Sequence, residues 1–305
     1  MPALHNGGLN RFAWLTAGAT LLLLVAGALV TSNDAGLAVP DWPLSYGTWM
    51  PPMVGNILYE HGHRMVATFV GLLTIILAVW LWRSEPRRWV RRLGWAALAA
   101  VIFQGLLGGL TVLFLLPRPV SIAHAALAQV FFCLTVTVAV VTGPGWQREE
   151  PRLVEAGQPP LRHMAEMATL GIFVQLLLGA SYRHSLVSIV PHLVGAVAVV
   201  YFGARAFERV RRLPRRPAEL WQPAAALAGL VGAQLLLGPL AYWARLQAIE
   251  SPQPTFFLVV TTVAHVAVGG LALASSLVLT LQCHRRLESP AQAGRFSRAA
   301  QKAAA

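Results

Sequence analysis

Apolar stretches long enough to cross a bilayer recur from one end of this 305-residue sequence to the other. They leave little alternative to a membrane protein. Eight are read, at about 12–31, 60–82, 93–115, 120–142, 164–182, 187–207, 221–243 and 256–282. In hydrocarbon the backbone N–H and C=O groups must be satisfied within the segment or around a closed barrel, and runs of this length select helices. Composition agrees: 56% of residues are hydrophobic and only 12% charged. The expected fold class is an all-α integral membrane protein with eight transmembrane helices. The first run precedes seven others, so it reads as a retained helix and not a cleaved signal.

The net charge of +12 could point to nucleic acid, but its placement points to topology. Arg11, Arg205 at the end of run six, the linkers after runs two, four and six, and the residues after run eight hold twenty Lys and Arg. The opposite side holds four: Arg64, Arg118, Arg183 and Arg245. This bias expects both termini to be cytoplasmic, in the cell inner membrane, with the lipid bilayer as partner and no nucleic acid. Cys133 and Cys283 lie within apolar runs without a C-x-x-C partner and are expected to be packing residues.

The segment 143–162 is polar and rich in Pro, Gly and charge. It divides the chain into 10–142 and 163–283, with a basic cytoplasmic tail at 284–305. Each half holds four runs, and local matches relate them. FQGLLGGLTV from Phe103 aligns with AQLLLGPLAY from Ala233, and IAHAALA from Ile122 aligns with VAHVAVG from Val263. Two four-helix bundles repeated in parallel are therefore expected, with 143–162 as a cytoplasmic linker.

Four histidines lie inside apolar runs toward the non-basic side: His63, His124, His192 and His265. Such residues in a membrane span are costly and mark functional sites. Each half holds one pair on two different runs, which excludes a zinc site of the H-E-x-x-H kind on one helix. Two bis-imidazole metal centres are expected, most simply haems held between facing helices. Small residues such as Gly62, Ala67, Gly71, Gly195 and Gly269 are expected to leave room for the macrocycles.

The halves are not equivalent. Glu60 stands three residues before His63, on the same helix face, whereas the corresponding position in the second half is Ile189. A carboxylate beside one haem only suggests a role in chemistry. Arg64, Arg183 and Arg245 are candidate anchors for haem propionates. The loop from Thr31, TSNDAGLAVPDWPLSYGTW, is long enough to fold back over the first-half site.

With these residues on view, the sequence resembles the haem A synthase family of cytochrome oxidase assembly. The resemblance rests on GLAVPDWPLSYG (36–47), EHGHR (60–64), QGLLGGLTV (104–112), IAHAALAQ (122–129), PHLVGA (191–196) and AHVAVGG (264–270). It implies oxidation of the C8 methyl of haem O to the formyl group of haem A. It implies haem b as cofactor on His192 and His265, the haem O substrate or haem A product on His63 and His124, and Glu60 as the catalytic glutamate. It also suggests haem O synthase and terminal oxidase assembly factors as partners, an electron partner that the sequence does not identify, and a homo-oligomer as one state. Relatives with a cysteine pair in the first outer loop have it where this chain holds Ala38 and Ser45. A dihaem b-type electron carrier without haem-modifying chemistry is the alternative, and it leaves Glu60 unexplained. A transporter would want broken helices and midplane polar sites.

Overall fold

Asn6 opens the first helix, where its side chain accepts from the backbone N–H of Leu9 at 3.0 Å. In the computed structural model, which describes residues 6–148 and 150–290, this helix, α1, spans Gly7–Ser32. The next three are α2 (Gly55–Ser84), α3 (Arg88–Leu113) and α4 (Arg118–Thr142). A short turn of helix, α5 (Pro144–Gln147), and a two-residue strand, β1 (Leu153–Val154), occupy the linker. Then come α6 (Leu161–Arg183), α7 (Val190–Arg211), α8 (Ala218–Gln247), α9 (Phe256–Arg286) and a second short strand, β2 (Leu287–Glu288). In α4, α5 and α7 a proline sits in the first turn, where a missing N–H costs least, whereas α8 carries Pro223 and Pro239 inside it. Thr255 caps α9.

The eight long helices are each apolar and long enough to cross a membrane. They match the eight expected runs, so the chain is an all-α multi-pass membrane protein. Large apolar side chains such as Leu22, Phe103 and Leu236 point outward and exposed. Lipid is the solvent for that surface, so burial of large apolar groups is not what brings the helices together. Small residues do: Ala13, Ala97, Ala165, Ala168, Ala206, Ala224 and Ala272 are buried between helices. Gly94 admits Leu81 so closely that a Cβ there would stand 2.7 Å from its Cδ1.

In the first half α1 and α3 each pack on α2 and α4; in the second, α6 and α8 each pack on α7 and α9. The two sets meet where α1 and α4 contact α9, and α4 contacts α6. Polar side chains tie the sets across apolar ground: Ser32 Oγ to Thr262 Oγ1 at 2.8 Å joins α1 to α9. Within the first set, Asn10 Nδ2 donates to the Ala139 carbonyl at 2.7 Å, joining α1 to α4. Such bonds contribute about 0.6 kcal/mol each in a bilayer, enough to fix register but not to drive assembly.

The linker is docked. β1 pairs in parallel with β2, so the linker and the end of α9 share backbone hydrogen bonds. The largely buried Arg286 donates to the Gly145 carbonyl at 3.2 Å, to Glu219 at 2.9 Å and to Glu150, and Arg209 pairs with Glu155. Residues 291–305 of the expected basic tail lie outside the described residues.

Candidate functional site

The four histidines fall on α2, α4, α7 and α9, the second member of each helix pair. Each ring lies against a glycine of the helix before it. A Cβ on Gly27 would stand 3.2 Å from His63 Cε1, and one on Gly108 would stand 3.2 Å from His124 Cε1. The same distance is 3.0 Å for Gly179 and His192, and 3.5 Å for Gly238 and His265. A Cβ at Gly27, Gly108 or Gly179 would crowd the imidazole, whereas one at Gly238 would make an ordinary contact. The rings are half-buried, and Nδ1 of His63, His124 and His265 is the enclosed nitrogen. In His192 the Nδ1 lies 3.2 Å from the Gln175 carbonyl. A bond from Nδ1–H to a carbonyl fixes the tautomer and leaves Nε2 as the ligating atom.

Glutamine amides hold three of these turns. Gln104 Nε2 donates to the His124 carbonyl at 2.9 Å. Gln175 and Gln234 do the same to the His192 and His265 carbonyls, each at 2.7 Å. On the histidine helices Gly195 and Gly269 make space for Gln175 and Gln234, while a Cβ on Gly62 or Gly71 would meet nothing within 4 Å.

The His192 and His265 rings stand 6.2 Å apart, centre to centre, with planes at 73°. Two imidazoles on one iron place each nitrogen about 2 Å from the metal and the ring centres about 6 Å apart. The observed spacing fits a haem gripped from both sides. Among the described residues no three His, Cys, Asp or Glu side chains converge as a metal cage. An iron held by two imidazoles would therefore need a macrocycle for its other ligands. His63 and His124 lie within electrostatic reach of each other but make no ring contact like that of the second pair.

Above the first pair, the loop between α1 and α2 is pinned onto α2 by a buried network. Glu60 is 4% exposed. Its Oε2 accepts from the Val39 N–H at 2.8 Å, and its Oε1 pairs with Arg64 at 2.7 Å. Arg64 Nη1 donates to the Asp41 and Leu44 carbonyls, each at 2.8 Å, and to Ser45 Oγ at 3.3 Å. Ser45 Oγ also meets His61 Nδ1 at 2.8 Å. The other ring nitrogen of His61, Nε2, is buried without a partner. Asp41 accepts from the Gly47 and Tyr46 N–H groups. The Gly47 bond, only partly opposed by burial and seconded by Tyr46 and the Arg64 charge, holds its carboxyl below the usual carboxylate range. Trp42 reaches α3, where a Cβ on Gly109 would stand 2.7 Å from the indole. The loop thus covers Glu60, as the sequence suggested. Ala38, at one cysteine position of relatives, accepts from Tyr46 Oη at 2.6 Å, and Ser45, at the other, is fully buried.

The candidate propionate anchors have protein partners. Arg64 serves the loop. Arg183 donates to Asp34 at 3.0 Å and to the Thr31 carbonyl, tying α6 to the end of α1. Arg245 lies over the Tyr182 ring at 5.4 Å. His184, just past α6, has its basicity lowered by burial and by neighbouring Arg183.

Sequence reasoning aligned Gln104 with Gln234 and missed Gln175. The signal was present as glutamine four residues before glycine in three apolar runs, at 104/108, 175/179 and 234/238. It also missed the glycines facing the rings, because they lie one helix away from the histidines they serve.

Residues 54–190 match the family model described as cytochrome oxidase assembly protein. The chain is similar to a Symbiobacterium thermophilum protein named heme A synthase, 30% identical over 253 residues, covering 73% of this chain and 82% of that one. It is 25% identical over 283 residues to the Geobacillus kaustophilus protein of the same name, covering 82% and 87%. A third so named, from Shouchella clausii, is 39% identical over 111 residues, covering 35% and 36%.

Proposed function

Because the chain belongs to the haem A synthase family, we propose that it makes haem A for terminal oxidase assembly by oxidising the C8 methyl of haem O to a formyl group. Residues 10–142 form the substrate half, with haem O or haem A between His63 and His124. Residues 163–283 form the half that binds haem b through His192 and His265. The protein sits in the inner membrane with both termini cytoplasmic, as the basic loops favour.

The observation that carries this reading is an asymmetry. Both halves offer imidazole pairs seated on glycines, but only the first has a buried carboxylate, Glu60, under a loop pinned to its helix. Conversion of the methyl to a formyl group, by way of an alcohol, is overall R–CH3 + H2O → R–CHO + 4 H+ + 4 e−, with the electrons passing to an external electron acceptor. Bound haem b would supply one-electron transfer. The chain's own residues bind, orient and shield. His63 and His124 orient the macrocycle, and Gly27 and Gly108 allow their rings to sit between helices. The loop covers the Glu60 side, and Glu60, held by Arg64, would take or return a proton in the oxidation.

Expression beside a haem O synthase in a host lacking haem A tests this directly. Extracted haem should include haem A for the wild type and none for Glu60→Ala. Haem B alone at both sites of the wild-type protein would support an electron carrier and refute the synthase.

A further inference from the structure

Seating a histidine with a glycine constrains the ring; a bond to its backbone carbonyl constrains the whole turn. His124, His192 and His265 have both, and the glutamine stands four residues before the seating glycine each time. The arrangement carries a cost, because Oε1 of Gln104, Gln175 and Gln234 is buried without a partner. It also requires Gly195, where a Cβ would fall 2.3 Å from Gln175 Oε1, and Gly269, 3.2 Å from Gln234 Nε2. Packing alone does not explain it, since an apolar residue fills the corresponding place in α1. Four residues before Gly27 stands Leu23, buried and unable to donate. The turn of His63 is instead held from the loop, through Glu60 to Val39 and Arg64 to the Asp41 and Leu44 carbonyls.

We propose that Gln104, Gln175 and Gln234 are positioning residues that lock their histidines onto haem iron, and that Leu23 leaves His63 as the releasable ligand of the first-half haem. This rests on the haem reading above. A resident haem b profits from two locked ligands. A substrate that must enter and a product that must leave need one ligand able to retreat, and His63 is the one whose turn answers to a loop.

Two measurements on the purified full-length protein test this. In the first, ferrous protein with haem b in the second half is exposed to carbon monoxide. Wild type, with both axial positions filled, should not bind it, whereas Gln234→Met and Gln175→Met, similar in size but lacking the donor, should. In the second, transfer of haem A from the first half to excess apomyoglobin is timed. Leu23→Gln, which restores a donor, should slow it about fivefold. Variants silent toward carbon monoxide would overturn the locking role, and unchanged transfer in Leu23→Gln would overturn the releasable His63. Wild-type protein without a Soret band would instead overturn the haem reading itself.

Discussion

Replacing Gly179 by alanine should weaken haem b binding, while the same change at Gly238 should be tolerated. The difference is geometric. The new Cβ would lie 3.0 Å from His192 Cε1 in the first case and 3.5 Å from His265 Cε1 in the second. Carbon atoms rest at about 3.5–4.0 Å, so Gly238→Ala makes an ordinary contact and Gly179→Ala is short by roughly 0.5 Å or more. A metal–nitrogen bond tolerates only about 0.2 Å, so the ring cannot retreat that far and keep its ligation. Overpacking of this kind costs about 1–3 kcal/mol, which corresponds to a roughly 5- to 150-fold loss of haem affinity. Titration of haem b into detergent-solubilised apoprotein, followed by the Soret band, measures it. Equal affinities for the two variants, or a weaker Gly238→Ala than Gly179→Ala, would refute the reasoning that these glycines seat the ligand rings.

Glu60→Gln keeps the side-chain size but leaves the mostly buried Arg64 without its counter-charge. A loss of about 3 kcal/mol of loop anchoring should follow, seen as faster proteolysis within 33–54 together with loss of haem A; a protected loop would argue against the pinning network. Gly109→Ala should displace Trp42, since its Cβ would fall 2.7 Å from the indole, and tryptophan fluorescence should shift on exposure. For Asp41, whose folded pKa is depressed, the stabilisation is present above the unfolded carboxylate value, about 3.9, and is lost as pH falls through the lower folded value. Loop protection should therefore hold from pH 8 down to about 4 and fail only below, whereas Asp41→Asn should weaken it throughout that range; a loop that opens near pH 6 would contradict this.

Much of the architecture was legible in sequence because hydrocarbon imposes a one-dimensional rule. A run of apolar residues long enough to span must be a helix, and basic residues gather on one side. The histidines were legible because an imidazole inside such a run stands out against its neighbours. Glu60 was legible for the same reason, and so was a loop long enough to cover it. Tertiary structure decided what those residues touch. The docked linker depends on Arg286 meeting groups more than sixty positions away in sequence. Arg64 turned out to serve the loop, because its reach toward the Asp41 and Leu44 carbonyls is set by how the chain folds back. The seats of the histidines lie on neighbouring helices, and no periodicity within one helix reports a contact made by the next. Sequence thus determined the spans, which are properties of a segment in its solvent. The distance between the His192 and His265 rings, and the amide bonds behind them, were decided by helices crossing in space.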